Sequence, residues 1–325
     1  MHIPDGFINA PTAITTGVLA AGGLLVALNR IRSKLPPRRI PLLGLAAAFI
    51  FAAQMLNFPV AGGTSGHLIG AVLAAVLLGP SAAVLVMSAV LILQCFMFAD
   101  GGLTALGANV FNMAIVGVGV GYGVYLLIRR FTGKSLRGSL VAVFLASWCS
   151  TVAASIACAG ELAASGTVAW GMAFPAMAGI HMLIGIGEAL ITTLVVATVV
   201  KLRPELLLER SASDLSPGYV ELIAYGALVA FGLAIFVSPF ACGWPDGLEK
   251  VAGSLGFELR AAGKPILSSP LSDYTFPGIG PAGLSTVVAG VIGTAAAFAL
   301  AYVWARVLTP SPREREGGPP HASSA

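Results

Sequence analysis

Long apolar segments separated by short polar connections run through most of this sequence, and they constrain its fold more than any other feature. A helix needs about 20 consecutive apolar residues to cross the hydrocarbon core of a bilayer. With 57% hydrophobic and 10% charged residues, the chain lies far outside the composition of soluble domains. The sequence therefore predicts an all-α polytopic membrane protein of about nine transmembrane helices: 11–29, 40–58, 67–79, 80–98, 109–128, 139–159, 174–200, 218–237 and 282–304.

The distribution of Lys and Arg predicts how these helices are oriented. All but three of the 18 basic residues follow the predicted first, fifth and seventh segments or lie in the C-terminal tail. The connections 59–66, 99–108 and 160–173 contain none. Because basic connections remain in the cytoplasm, we predict an outside N-terminus and a cytoplasmic C-terminus, in the inner (plasma) membrane.

The first residues, Met1-His2-Ile3-Pro4-Asp5-Gly6, form a potential metal chelate. The free N-terminal amine, the His2 amide nitrogen and the His2 imidazole can close adjoining rings on one ion. A fourth nitrogen completes a square, which suits Ni²⁺, Cu²⁺ or low-spin Co²⁺ better than Zn²⁺. His67, expected on the same side of the membrane, is the candidate for it. We predict Met1, His2 and His67 as metal ligands; an isolated core histidine is the alternative interpretation of His67.

Further polar residues lie close to the same side or inside the apolar segments. His181 and Glu188 are seven positions apart and so share one helix face. They are expected to orient the N-terminal loop or to bond neighbouring helices, with direct ligation as the alternative. Asp5, Asp100 and Glu161 are expected in outer connections, where they either attract cations or are ordinary solvated residues.

Several other functions find no support in the sequence. Gly133-Lys134-Ser135 lacks the upstream glycine and strand of a phosphate-binding loop. The chain has neither a His-Glu-x-x-His helix nor a Gly-x-Ser-x-Gly elbow. The basic pI of about 9.0 reflects the membrane topology. We therefore predict no enzymatic activity, no organic cofactor and no nucleic-acid partner.

Composition divides the chain into four parts. Residues 1–203 form a predicted metal-binding membrane domain of about seven helices, and 204–217 form a polar cytoplasmic linker. Residues 218–308 form a two-helix module with an outer loop containing Trp244-Pro245-Asp246-Gly247-Leu248-Glu249. Residues 309–325, rich in Pro, Gly and Ser, are predicted to be disordered.

Four motifs together resemble a known family: Met1 to Phe7, Gly62-Gly63-Thr64-Ser65-Gly66-His67, Leu106-Gly107-Ala108-Asn109, and His181 to Ala189. Residues 1–200 look like the CbiM/NikM-type substrate-specific component of energy-coupling factor (ECF) cobalt and nickel importers. The remainder resembles the small CbiN/NikN-type companion subunit in fused form, with its Pro-Asp-Gly-Leu-Glu motif at Pro245 to Glu249.

The resemblance implies that Ni²⁺ or Co²⁺ is the transported substrate, held by the nitrogens of Met1, His2 and His67. It also implies a transmembrane coupling protein (CbiQ/NikQ type) and two cytoplasmic ATPases (CbiO/NikO type) as partners. Which of the two metals is carried stays open. The alternatives are a proton-coupled secondary metal transporter with His181 and Glu188 as its relay, a membrane metalloenzyme, and a metal sensor.

Overall fold

Helices form nearly all of the regular structure in the computed structural model, which describes residues 1–133, 135–203, 219–261, 266 and 268–309. A short antiparallel hairpin, β1 (Phe58–Val60) and β2 (Thr64–Gly66), joins the second and third helices. The mostly helical prediction is confirmed. The α-helices are α1 (Ala10–Lys34), α2 (Ile40–Gln54), α3 (Ala71–Leu78), α4 (Pro80–Leu93), α5 (Leu106–Asn109), α6 (Gly117–Thr132), α7 (Leu136–Ala164), α8 (Trp170–Leu202), α9 (Tyr219–Gly232), α10 (Gly247–Leu255) and α11 (Ala282–Leu308).

Within the described ranges, seven helical stretches are long and apolar enough to cross a membrane. Three of these stretches include π-helical turns. These turns extend α4 through Phe98, link α5 to α6, and extend α9 through Val237. The predicted α2 and α3 spans are shorter, with 15 and 8 residues. The chain is a multi-pass membrane protein; the count of nine spans and the orientation of the termini stay predictions.

Three sequence predictions need a structural comment. The segment predicted as a helix from His67 is helical only from Ala71, because Gly70 adopts a left-handed conformation with φ 82°. His67 therefore lies in a non-helical segment. Glu161 lies inside α7 and not in the connection that follows it. The predicted linker 204–217 and the tail from 310 lie outside the described residues.

Helix α11 of the C-terminal module packs against α2 through small residues. A Cβ atom added to Gly293 of α11 would lie 2.1 Å from Phe51 Cζ and 2.6 Å from Phe98 Cζ. On α2, a Cβ added to Gly44 would lie 3.0 Å from the Phe298 carbonyl oxygen. Close approach between small residues is the usual way helices associate in lipid. The C-terminal module is thus seated directly on the N-terminal domain.

This packing predicts the effect of Gly293→Ala. The added methyl group would overlap two buried rings, so we expect the variant to lose about 1–3 kcal/mol of stability. Gly232→Ala, at the end of α9 with nothing within 4 Å of its added Cβ, is the matched control. Thermal unfolding of the purified proteins in detergent measures both. Equal melting temperatures would contradict the described contact.

Candidate metal centre

The first residues fold back into the protein and are anchored on α5 and on the loop before it. Gly6 turns the chain with φ 89°. The Ile3 amide donates to Asn109 Oδ1 at 2.8 Å, and Asn109 Nδ2 donates back to the Ile3 carbonyl at 3.1 Å. Asp5 accepts a hydrogen bond from the Thr104 amide at 2.8 Å. These bonds fix the path of the N-terminus and bury its first residue.

The N-terminal amine lies between one imidazole and one carboxylate. The Met1 nitrogen is 3.0 Å from His67 Nε2 and 2.5 Å from Asp246 Oδ2. His67 Nδ1 lies 3.0 Å from the Leu68 carbonyl oxygen. Because a carbonyl only accepts, Nδ1 carries the ring hydrogen, and Nε2 presents its lone pair to the amine. This is the tautomer that a metal ligand needs.

The His2 imidazole stacks on that of His67, with ring centroids 5.3 Å apart and an interplanar angle of 19°. Its Nδ1 lies 3.0 Å from Asp100 Oδ1, and its Nε2 is buried without a hydrogen-bond partner among the described residues. The Tyr274 hydroxyl donates to the other oxygen of Asp100. All three predicted ligand residues therefore meet, but the chelating nitrogen of His2 faces Asp100.

Two carboxylates determine the charge of this site. Burial disfavours the charged form of the Met1 amine, but the charge and hydrogen bond of Asp246 outweigh it and raise the pKa of the amine above its ordinary value. The same pairing overcomes the effect of burial on Asp246 and holds the pKa of that carboxyl below its usual range. In the metal-free protein, the amine is therefore protonated and paired.

Asp246 was missed as a site residue, and it comes from the C-terminal module. Its Oδ1 accepts from the Glu249 amide at 2.9 Å while Glu249 Oε2 accepts from the Asp246 amide at 2.9 Å, which forms a capping box at the start of α10. The Trp244 and Pro245 carbonyls accept from the hydroxyl and amide of Ser65, at 2.7 and 2.8 Å. The Asp-x-x-Glu pattern in the sequence indicates where the helix starts. It does not indicate that the other oxygen of Asp246 contacts the Met1 amine.

Glu188 anchors the segment that carries His67. Its two carboxylate oxygens accept from the amides of Ile69 and Gly70 at 2.6 and 3.0 Å, and Gln54 Nε2 donates to the Ile69 carbonyl at 2.8 Å. Glu188 is buried on the same face of α8 as His181. The position of His67 therefore depends on one carboxylate of a distant helix.

The other two acidic residues expected near the outer surface have local roles. Glu161 accepts from Asn112 Nδ2 at 2.7 Å, and Asp5 caps the Thr104 amide. Of the three, Asp100 alone contacts a predicted ligand within the part of the chain that the structure describes. As they are arranged in the same part, no three His, Cys, Asp or Glu side chains form a group able to hold a metal ion.

The fold defines a multi-pass membrane protein in which the N-terminal amine and two imidazoles lie close together. Comparison with known families agrees. The family described as "Cobalt uptake substrate-specific transmembrane region" matches residues 2–206, and the "PDGLE domain" matches residues 220–310. The chain belongs to this cobalt-uptake family, in a form fused to a PDGLE module of the NikN type.

Similar proteins carry both parts in one chain. The "Putative fused nickel transport protein NikMN" of Archaeoglobus fulgidus is 39% identical over 308 residues, covering 94% of this chain and 98% of that protein. The "Fused nickel transport protein NikMN" of Rhodobacter capsulatus is 34% identical, covering 91% and 94%. A solved structure titled as a transition metal transporter is 33% identical over 67% of this chain and 100% of its own, with a TM-score of 0.57. The chain therefore belongs to a family of nickel/cobalt transport components, and the relatives named above are described as transport proteins.

The bonds of Glu188 predict the effect of Glu188→Gln. The glutamine side chain has one oxygen and one NH₂ group, so its NH₂ would face one of the two backbone N–H groups and that hydrogen bond would be lost. The variant should therefore lose about 1.5–3 kcal/mol of stability. Hydrogen exchange at the Ile69 and Gly70 amides should accelerate. Glu221→Gln, at an exposed glutamate of α9, is the matched control. Unchanged exchange at these two amides would contradict the anchoring role.

Proposed function

We propose that this chain is the substrate-capture component of an ATP-driven ECF importer of Ni²⁺ or Co²⁺ in the inner membrane. The ion is held at the outer face in a square of nitrogens from the Met1 amine, the His2 amide, the His2 imidazole and His67 Nε2. The observation that carries the proposal is the 3.0 Å distance between the buried Met1 amine and His67 Nε2, two groups 66 residues apart. Nickel in the names of the fused relatives and cobalt in the family description support these two metals.

Before the ion arrives, the Met1 amine is protonated and paired with Asp246, and the His2 imidazole lies against Asp100. The incoming ion displaces the proton of the Met1 amine and separates this amine from Asp246 Oδ2. The His2 imidazole turns away from Asp100, and the His2 amide loses its proton when it binds. Asp246 and Asp100 remain beside the ion and balance its charge. Metal binding therefore exchanges a buried ammonium for a divalent cation.

Energy for inward release is assigned to partners: a CbiQ/NikQ-type membrane protein and two CbiO/NikO-type ATPases. The sequence resemblance supports this assignment. Apolar side chains on α1, such as Ile14, Val18 and Leu25, are 60–66% exposed and suit lipid or a partner helix. In the same proposal the spans number about nine, with the N-terminus outside and the C-terminus in the cytoplasm.

The described geometry favours this function over a proton relay, because both oxygens of Glu188 are engaged by backbone amides.

The proposed division of the chain gives the C-terminal module a direct part in capture. Residues 1–203 supply the ligands, 204–217 the cytoplasmic linker, 218–308 the module, and 309–325 the tail. The contacts of Asp246 with Met1 and of Pro245 with Ser65 support a module that covers the chelate. Its loop must release the amine whenever an ion enters.

The chelate predicts which changes abolish metal binding. Retaining the formyl group on Met1 removes the amine, and His67→Ala removes the fourth nitrogen. Each should weaken Ni²⁺ or Co²⁺ binding by roughly 100-fold or more, since a whole ligand of the coordination shell is lost. Isothermal titration of the purified chain measures this, with His321→Ala as the control at a histidine outside the chelate. A formylated chain that binds as tightly as the free amine would refute the proposed ligand set.

The pairing of Met1 with Asp246 predicts a pH dependence. Because the pKa of the amine is raised above 8.0, its proton competes with the ion at neutral pH, and Ni²⁺ affinity should rise with pH until the amine is deprotonated. The stability of the metal-free protein depends on pH in the opposite direction and falls as the pH rises. The stabilisation is complete below the unfolded pKa of 8.0 and is lost as the pH rises through the raised pKa.

Asp246→Asn isolates this effect, because Asn also caps helices well while the charge is removed. Without the charge of Asp246, burial lowers the pKa of the amine against less opposition, and the curve of Ni²⁺ affinity against pH should move to lower pH. Asp273→Asn, at an exposed residue of the same outer segment, should leave the curve in place. Coincident curves for wild type and Asp246→Asn would show that this carboxylate does not control the amine.

A further inference from the structure

One histidine beside the proposed chelate has no assigned role. His181 of α8 is 2% exposed, and its Nδ1 lies 2.8 Å from the Met177 carbonyl oxygen. Because the carbonyl only accepts, Nδ1 carries the hydrogen and Nε2 carries the lone pair. His181 Nε2 is buried and has no hydrogen-bond partner among the described residues. A buried acceptor without a partner is costly and calls for a functional explanation.

The small cavity beside this imidazole is also lined by two of the three proposed ligand residues, Met1 and His67. Met1, His67, His181 and Asp246 all line it. Gly247 covers the His181 ring so closely that an added Cβ would lie 2.8 Å from Nε2. The imidazole is thus enclosed between the chelate and the loop of the C-terminal module. The Met1 amine and the His181 ring therefore border the same cavity.

We propose that His181 Nε2 is a further ligand for the transported ion, and that it takes the ion as the N-terminal chelate opens. This inference rests on the proposed function. His67 would stay bound, His181 would replace the Met1 amine and the His2 nitrogens, and Asp246 would supply an oxygen. The released amine and amide take up protons from water, and the metal remains divalent. Mixed imidazole and carboxylate ligation holds Ni²⁺ or Co²⁺ without imposing a square of nitrogens.

The electrostatics of the cavity fit this transfer. The Met1–Asp246 pair brings one positive and one negative group, and the chelated ion takes the place of the positive one. During the transfer Asp246 stays beside the ion as its counter-charge. The neutral His181 imidazole, whose tautomer is fixed by the Met177 carbonyl, is the nitrogen donor that takes the place of the opened chelate.

The test uses His181→Asn, because the amide of Asn can still donate to the Met177 carbonyl while Nε2 is removed. The first readout is a count of coupled imidazoles by pulsed electron paramagnetic resonance with Cu²⁺ as the probe. All chains carry His2→Ala, which opens the chelate, and His321→Ala, which leaves His67 and His181 as the histidines of the sequence. Coupling to both rings is expected. His181→Asn should reduce it to one, whereas Thr151→Val, at another residue lining the cavity, should keep both.

The second readout is ATP-driven Ni²⁺ uptake into vesicles that contain the otherwise wild-type chain with its partner subunits. His181→Asn should slow uptake roughly tenfold or more, as expected for loss of a metal ligand, while equilibrium Ni²⁺ affinity of the intact chelate stays unchanged. Thr151→Val should transport at the wild-type rate. The inference is overturned if His181→Asn leaves both imidazoles coupled or leaves uptake unchanged. If the wild-type chain does not bind Ni²⁺ through Met1 and His67, the proposed function itself is wrong.

Discussion

A buried ion pair joins the first residue of the chain to the C-terminal module, and the surrounding contacts depend on it. Removing one partner of such a pair leaves an uncompensated charge, which is strongly destabilising. Here the Met1 amine and Asp246 satisfy each other, and His67 Nε2 accepts from the same amine. In the proposed metal-bound state a divalent cation replaces the ammonium, so Asp246 keeps a positive partner although its contact with the amine is broken.

The predicted ligand groups lie in the N-terminal segment and in a loop, and hydrogen bonds from neighbouring residues fix their positions. Asn109 bonds both backbone groups of Ile3, and Glu188 holds the two amides that follow the His67 segment. Each anchor projects from a different helix. The packing of these helices therefore sets the distance between the Met1 amine and the His67 imidazole.

The predicted ligands were accessible from the sequence because the chelate is local: Met1 and His2 adjoin, and the motif around His67 is distinctive. Asp246 was not accessible, because its capping pattern states nothing about a partner 245 residues away. The start of α3 was misplaced for a similar reason. Apolar periodicity does not reveal that Gly70 adopts φ 82°. The helical class followed directly from composition, whereas the length of α2 depended on the hairpin packed after it.

The distance between Met1 and Asp246 along the chain also determines when the centre is completed during biosynthesis. Contacts of large sequence separation form late, because the intervening chain must first be made and ordered. The ribosome must pass residue 246, and the second module must enter the bilayer, before the leading amine finds its counter-ion. Until then the nascent N-terminus has only the groups of the first domain as partners. Fusing the module to the same polypeptide guarantees that every N-terminus meets one such counter-ion.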